Sequence, residues 1–220
     1  MGWLLLRGRC RGCREPISSL YPSIELIVGL MWAASVLAFG PTFTALRIAV
    51  FATVLLGVAV TDAQRYLIPD GFTLFGLVWG LGTAVIGLFI GDGDLMFADP
   101  KDALFGACVG AGAIAIVGWL GEVALKKEAM GFGDVTLMAM VGAVLGPERT
   151  LLTVFVGAML GAVGFLLIVY PIAWARSKRA GVPFDPPLVP FGVFLAPAAL
   201  VTLLWGNDLI RWYNDVFLAV

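Results

Sequence analysis

The sequence predicts an all-α, polytopic membrane bundle with six or seven transmembrane helices. Three observations carry that reading. Of 220 residues, 60% are hydrophobic and 13% charged, where soluble domains run at roughly 45–50% and 25%. The apolar residues fall in successive runs near the length that crosses a bilayer, about 20 residues per helix. The 28 glycines suit helices whose backbones approach closely in lipid. The composition also removes chemistry. There is no histidine, so nucleophile–histidine triads and His-ligated metal sites are out. A net charge of −1 argues against nucleic acid as a partner.

Residues 1–23 read as a basic cytoplasmic arm: Arg7, Arg9, Arg11 and Arg14 surround Cys10 and Cys13. The run Gly2–Leu6 is too short to span, and its charges follow the apolar residues instead of preceding them as in a signal peptide. Residues 24–206 read as the transmembrane domain. Spans are expected near Ile24–Gly40, Phe43–Thr61, Phe72–Ile90, Ala103–Leu125, Val135–Gly146, Leu151–Pro171 and Pro190–Trp205. Val135–Gly146 is short for a crossing, and reads as tilted, broken or continuing past Pro147. Residues 207–220, with Trp212 and Tyr213, read as an interfacial tail.

Lys and Arg set the orientation, because short cytoplasmic loops concentrate them. With seven spans, ten of the fourteen lie on one side: Arg7, Arg9, Arg11, Arg14, Arg65, Lys126, Lys127, Arg176, Lys178 and Arg179. Lys101, Arg149 and Arg211 lie on the other, and Arg47 near a span end. The bias puts the amino terminus in the cytoplasm.

An acid in or beside a span is costly and is a functional candidate by default. Asp92, Asp94, Asp99 and Asp102 fall in a polar loop, and Glu148, Asp208 and Asp215 near the outer surface. Glu122 lies within a span. Asp62 ends one apolar run and Asp134 begins another, both at the cytoplasmic ends of their spans although 72 positions apart. Two carboxylates in a partly dry site share a proton, so one serves as base and the other as acid. The bland alternative is that each is a helix-end acid that caps or faces water. Gly131 and Gly133 bracket Phe132 just before Asp134, and would let backbone or substrate approach without a Cβ in the way.

The stretches TDAQRYLIPDGFTL, KKEAMGFGDVTLMAMVGAVLG, VPFGVFLAPAAL and RGRCRGCREPISSLYPSIE resemble the type IV prepilin peptidases, membrane aspartyl proteases of the GxGD kind. In their expected order they reach from about Leu6 to Leu200. The resemblance implies that Asp62 and Asp134 are the catalytic pair. It assigns Pro69 and Asp70 to the family's Pro-Asp motif, and Glu128, Met130, Gly131, Phe132 and Gly133 to the approach to the second aspartate. Pro190, Phe191 and Gly192 are expected to bend the chain near the site, or simply to start the last span. The family implies cleavage of a prepilin or pseudopilin, in type IV pilus or type II secretion systems, at the cytoplasmic face of the bacterial inner membrane. Besides that substrate and membrane lipid no partner is implied; no cofactor and no metal are expected, and the oligomeric state is open.

The chain departs from the family in two places. Full-length members carry a further amino-terminal helix and usually two CxxC pairs, whereas here one pair, Cys10 and Cys13, stands near the start. Two thiolates do not complete a tetrahedral zinc site, and N-methylation of the product, linked in the family to that region, is doubtful. Thr136 stands where the family often has Lys. Two other classes compete: an ion or proton transporter using the same aspartates, and a non-catalytic membrane scaffold. Transporters place such acids near the bilayer midplane, and a degenerate scaffold need not keep both. Presenilin-like enzymes share GxGD but pair it with Tyr-Asp, whereas Asp62 follows Thr61.

Overall fold

The computed structural model describes residues 3, 6, 8–90, 96–126, 130–180 and 189–217. Contacts divide the chain into two compact units, Met1–Thr53 and Val54–Val220, with the boundary inside a helix.

The first unit opens on a tight knuckle. An antiparallel bridge pairs Arg9 with Pro16, the Cys10 N–H donates to the Glu15 carbonyl at 2.9 Å, and the Arg14 N–H returns to the Cys10 carbonyl at 3.1 Å. Backbone N–H groups of Cys13 and Gly12 face the Cys10 thiol and hold its pKa below the ordinary thiol value. Helix α1 spans Leu20–Phe39. Its hydroxyls turn inward, Ser23 to the Ser19 carbonyl and Ser35 to the Met31 carbonyl, so the polar groups are satisfied within the helix. Helix α2 spans Phe43–Arg65 and is entered through Thr42, whose Oγ1 accepts the Ala45 N–H.

The second unit takes the rest of α2, then α3 (Asp70–Ile90), α4 (Pro100–Leu125), α5 (Phe132–Leu145), α6 (Pro147–Gly164), a π-turn (Phe165–Val169), α7 (Tyr170–Ala180) and α8 (Gly192–Phe217). Asp99 starts α4 by accepting the N–H groups of Lys101 and Asp102 at 2.9 and 2.8 Å, with Pro100 at the first helical position, where its missing N–H costs nothing.

Among the described residues, six segments are long and apolar enough to cross a membrane, and the protein is multi-pass: α1, α2, α3, α4, α8 and the rod Pro147–Arg179. The expected span at Val135–Gly146 is α5, only 14 residues long. At 1.5 Å per residue it reaches roughly 21 Å, short of the ~30 Å apolar layer. It is the centre of the unit, packed on α3, α4, α6 and α8, and nearly everything from Leu137 to Leu145 is buried. A helix that is apolar on every side belongs in such a place. It does not continue past Pro147, because Gly146, at φ 79°, breaks the chain there. The expected span Leu151–Pro171 instead runs on through Pro171 to Ala180. The Tyr170 N–H reaches back to the Phe165 carbonyl, a π-turn that reorders the hydrogen-bond ladder at the one residue unable to donate to it. Residues 207–217 continue α8 without a break.

Helices α4 and α5 run antiparallel, since the Ala98 N–H just before α4 bonds the Val144 carbonyl near the end of α5 at 3.0 Å. Helices α6 and α8 are antiparallel too. Thr153 and Thr202 share a buried hydroxyl–hydroxyl bond of 2.6 Å, and one turn away the Arg149 side chain lies against Gly206. Arg149 is buried and closes the end of α5, donating Nε–H to the Leu145 carbonyl at 2.9 Å and Nη1–H to the Met96 carbonyl at 2.6 Å. A cation there meets the negative end of the helix dipole.

Candidate active site

Asp62 lies one turn from the end of α2, where the chain leaves the helix through Tyr66. Tyr66 is left-handed, at φ 54°, and its N–H returns to the Asp62 carbonyl at 2.9 Å. That bend sends Leu67, Ile68 and Pro69 directly toward α3. Asp62 is 5% exposed. Its Oδ2 accepts the Val193 N–H at 3.2 Å, one of the first-turn donors of α8 that have no partner inside the helix. The carboxylate of one helix thus caps the start of another. Four residues on, Pro197 has no N–H to return to the Val193 carbonyl.

Asp134 sits in the first turn of α5, whose N-cap is Gly131; its N–H bonds the Gly131 carbonyl at 3.1 Å. Asp134 Oδ1 is buried and has no hydrogen-bond partner. Met130, on the approach to α5, faces Gly118 of α4. Because α4 continues seven residues beyond Gly118, to Leu125, this approach is recessed by roughly 10 Å along that helix.

The two aspartates are joined through a third residue. A Cβ built on Gly133, the neighbour of Asp134, would stand 2.9 Å from the Ile68 Cβ. A Cβ built on Gly192 would stand 3.0 Å from the Ile68 Cδ1 and 2.8 Å from Asp62 Oδ2. Both glycines are therefore required by close approach and not by backbone angle.

Of the residues expected to shape the site, the structure brings Gly133 and Gly192 to the aspartates. Phe191 starts α8, its carbonyl accepting the Phe194 and Leu195 N–H groups, and Pro190 beside it is half-buried. Gly131 caps α5 and lies near Asp134. Pro69 follows Ile68 and accepts the Phe72 N–H. Asp70 and Phe132 are exposed, Phe132 to 75%. Glu128 lies outside the described residues. Thr136 turns its hydroxyl back to the Gly133 carbonyl at 3.0 Å, while Glu122 and Cys108 are exposed on α4. Among the described residues no group of three or more acids or cysteines is placed to hold a metal ion. Ile68 and Val193 were not singled out from the sequence; their only signal was membership of the two stretches that carried the resemblance.

Residues 49–166 match the Type IV leader peptidase family, and residues 1–39 match the Bacterial Peptidase A24 N-terminal domain. Part of the region that the sequence reading linked to methylation is therefore present. The chain is 36% identical to a prepilin leader peptidase/N-methyltransferase of Aeromonas hydrophila, over 99% of this chain and 69% of that protein. It is 36% identical to the protein so named in Stutzerimonas stutzeri, over 97% and 68%. With that of Pseudomonas aeruginosa it shares 35% identity over the same proportions. No solved structure matches the chain.

Proposed function

The chain belongs to the Type IV leader peptidase family, and from that premise we propose that Asp62 and Asp134 cut the leader from a prepilin or pseudopilin. The protein is a membrane-embedded peptidase. What supports the reading of the site is a single observation. Two carboxylates from distant parts of the chain each lie beside a glycine packed on the same residue, Ile68: Asp134 next to Gly133, and Asp62 against Gly192.

The chemistry needs only these side chains and water. One carboxylate takes a proton from water as the oxygen attacks the scissile carbonyl carbon, and the other gives a proton to the carbonyl oxygen. The tetrahedral species then collapses. The C–N bond breaks, the departing amine takes a proton from the carboxyl that had acted as base, and the other carboxylate recovers its proton from the intermediate's hydroxyl. The Val193 N–H fixes the Asp62 carboxylate while leaving its second oxygen for this work.

We place the protein in the bacterial inner membrane with the site toward the cytoplasm. The end of the second unit that carries Asp62 and Asp134 also carries Arg65 and Lys126. The antiparallel course of α4, α5 and the 33-residue rod brings Arg176, Lys178 and Arg179 to that end as well. Basic residues concentrate on the cytoplasmic side.

The direct test is incubation of the purified protein, in liposomes, with a prepilin, reading leader loss by gel shift and product mass. Loss of the leader supports the reading, and an uncut prepilin in the presence of folded, inserted protein overturns it. The same mass reports any methyl group on the product.

Gly192→Ala is expected to lower the turnover number roughly 10–100-fold, because displacement of a catalytic group by about 1 Å costs up to that much. Its Cβ would press on Asp62 Oδ2 at 2.8 Å. Gly161→Ala, whose Cβ meets its nearest neighbour at an ordinary 3.6 Å, is expected to stay near the wild-type rate. Equal activity of the two variants would show that Gly192 does not crowd the working carboxylate.

A further inference from the structure

We propose that Ile68 is a positioning residue that sets the spacing of the two carboxylates, an inference that rests on Asp62 and Asp134 being the catalytic pair. Ile68 belongs to no helix: it lies in the four-residue connection between α2 and α3, yet it is only 8% exposed. A large apolar residue buried in so short a connection holds something. Its two ends meet different helices. The Cβ packs against Gly133 at the start of α5, directly before Asp134, and the Cδ1 packs against Gly192 at the start of α8, directly before the Val193 N–H that holds Asp62. Neither glycine could carry even a methyl group without moving Ile68.

The side chain is suited to the work. Isoleucine branches at Cβ, which confines its χ1 to few rotamers, so the direction in which the Cγ1–Cδ1 arm leaves the backbone is held more narrowly than in an unbranched chain. Its backbone is fixed too, between the left-handed Tyr66, tied to the Asp62 carbonyl, and Pro69, whose ring locks φ. Helices α5 and α8 reach the site from different parts of the chain, and their packing on each other is slight beside that of α5 on α4. Ile68 is a rigid spacer between their starting turns, and so between the groups that hold the two aspartates.

The test compares turnover of a prepilin by the full-length protein and its Ile68→Ala, Ile68→Val, Asp62→Asn and Asp134→Asn variants, each normalised to inserted, folded protein. Ile68→Ala is expected to lower kcat roughly 10–100-fold, the loss that follows when a catalytic group is free to drift by about 1 Å, with KM changed less than about twofold. Ile68→Val keeps the Cβ and Cγ1 contacts with Gly133 but removes Cδ1, the atom that meets Gly192, and should lose several-fold in kcat, falling between wild type and Ile68→Ala. A merely structural residue would lower yield or thermal midpoint and leave kcat per folded molecule unchanged. If Ile68→Ala inserts poorly, Ile68→Val alone decides: a several-fold loss in kcat at unchanged KM supports the inference, and a wild-type kcat overturns it. If both aspartate variants are inactive while the Ile68 variants turn over at the wild-type rate, the positioning role falls and the catalytic assignment stands. If either aspartate variant cleaves normally, both fall together.

Discussion

Asp62→Asn and Asp134→Asn are each expected to abolish prepilin cleavage, lowering the rate by at least roughly 10²–10⁴-fold, the usual contribution of a positioned general acid or base. Both should remain folded and inserted. At position 62 the amide oxygen can still accept the Val193 N–H, so the tie between α2 and α8 survives. At position 134 the amide keeps the size and shape of the side chain at the start of α5, whose backbone tie to the Gly131 carbonyl does not involve it. What neither amide can do is exchange a proton in both half-reactions. The double variant should be no worse than either single one, because residues that act as a unit lose their effect together. The measurement is leader loss per inserted molecule, with circular dichroism of the purified variants as the folding control. Cleavage by either variant near the wild-type rate would remove that residue from the chemistry.

The aspartates were legible in the sequence because charge is expensive in an apolar chain. Each stood at the edge of an apolar run, and the placement of Arg and Lys put both runs' edges on one side. The helices were legible for the same reason, to within a few residues at most ends. The role of α5 was not. Its 14 residues read as a doubtful crossing because length is what a linear reading measures, whereas its burial on every side depends on neighbours drawn from α3, α4, α6 and α8. Pro171 misled in a similar way. A proline usually ends a helix, but the π-turn ahead of it lets the rod continue. Ile68 was hidden most thoroughly. Nothing in its type or spacing separates it from the other apolar residues, and its meaning comes from two glycines at positions 133 and 192 that only the fold places against it. The glycines carried a visible signal, in GFGD and PFG, but the residue they make room for did not.

Gly142→Val is expected to be the most damaging single change outside the acids, and its effect should fall on stability before activity. At the crossing of α4 and α5, Gly142 and Gly106 meet backbone to backbone. A Cβ on either would collide with the other's carbonyl oxygen, and a Cβ on Gly110 would collide with the Met138 carbonyl. Backbone cannot swing aside as a flexible side chain does, so the helices must separate along the contact that centres the unit. Overpacking a closed core costs about 1–3 kcal/mol, occasionally more, and valine adds two methyl groups beyond the first clash. For a chain of this size a loss of ~3 kcal/mol lowers the thermal midpoint by roughly 6–12 °C. Gly112, on the same helix α4, has nothing within 4 Å of its missing Cβ. There Gly112→Ala should hold the midpoint or raise it, because alanine in a helix interior is favoured over glycine by roughly 0.5–1 kcal/mol. Thermal unfolding of the two variants in the same detergent separates close packing from helix propensity. If Gly142→Val melts with the wild type, α4 and α5 are not packed through their glycines. If Gly112→Ala melts as early as Gly142→Val, glycine is needed along α4 for a reason other than this crossing.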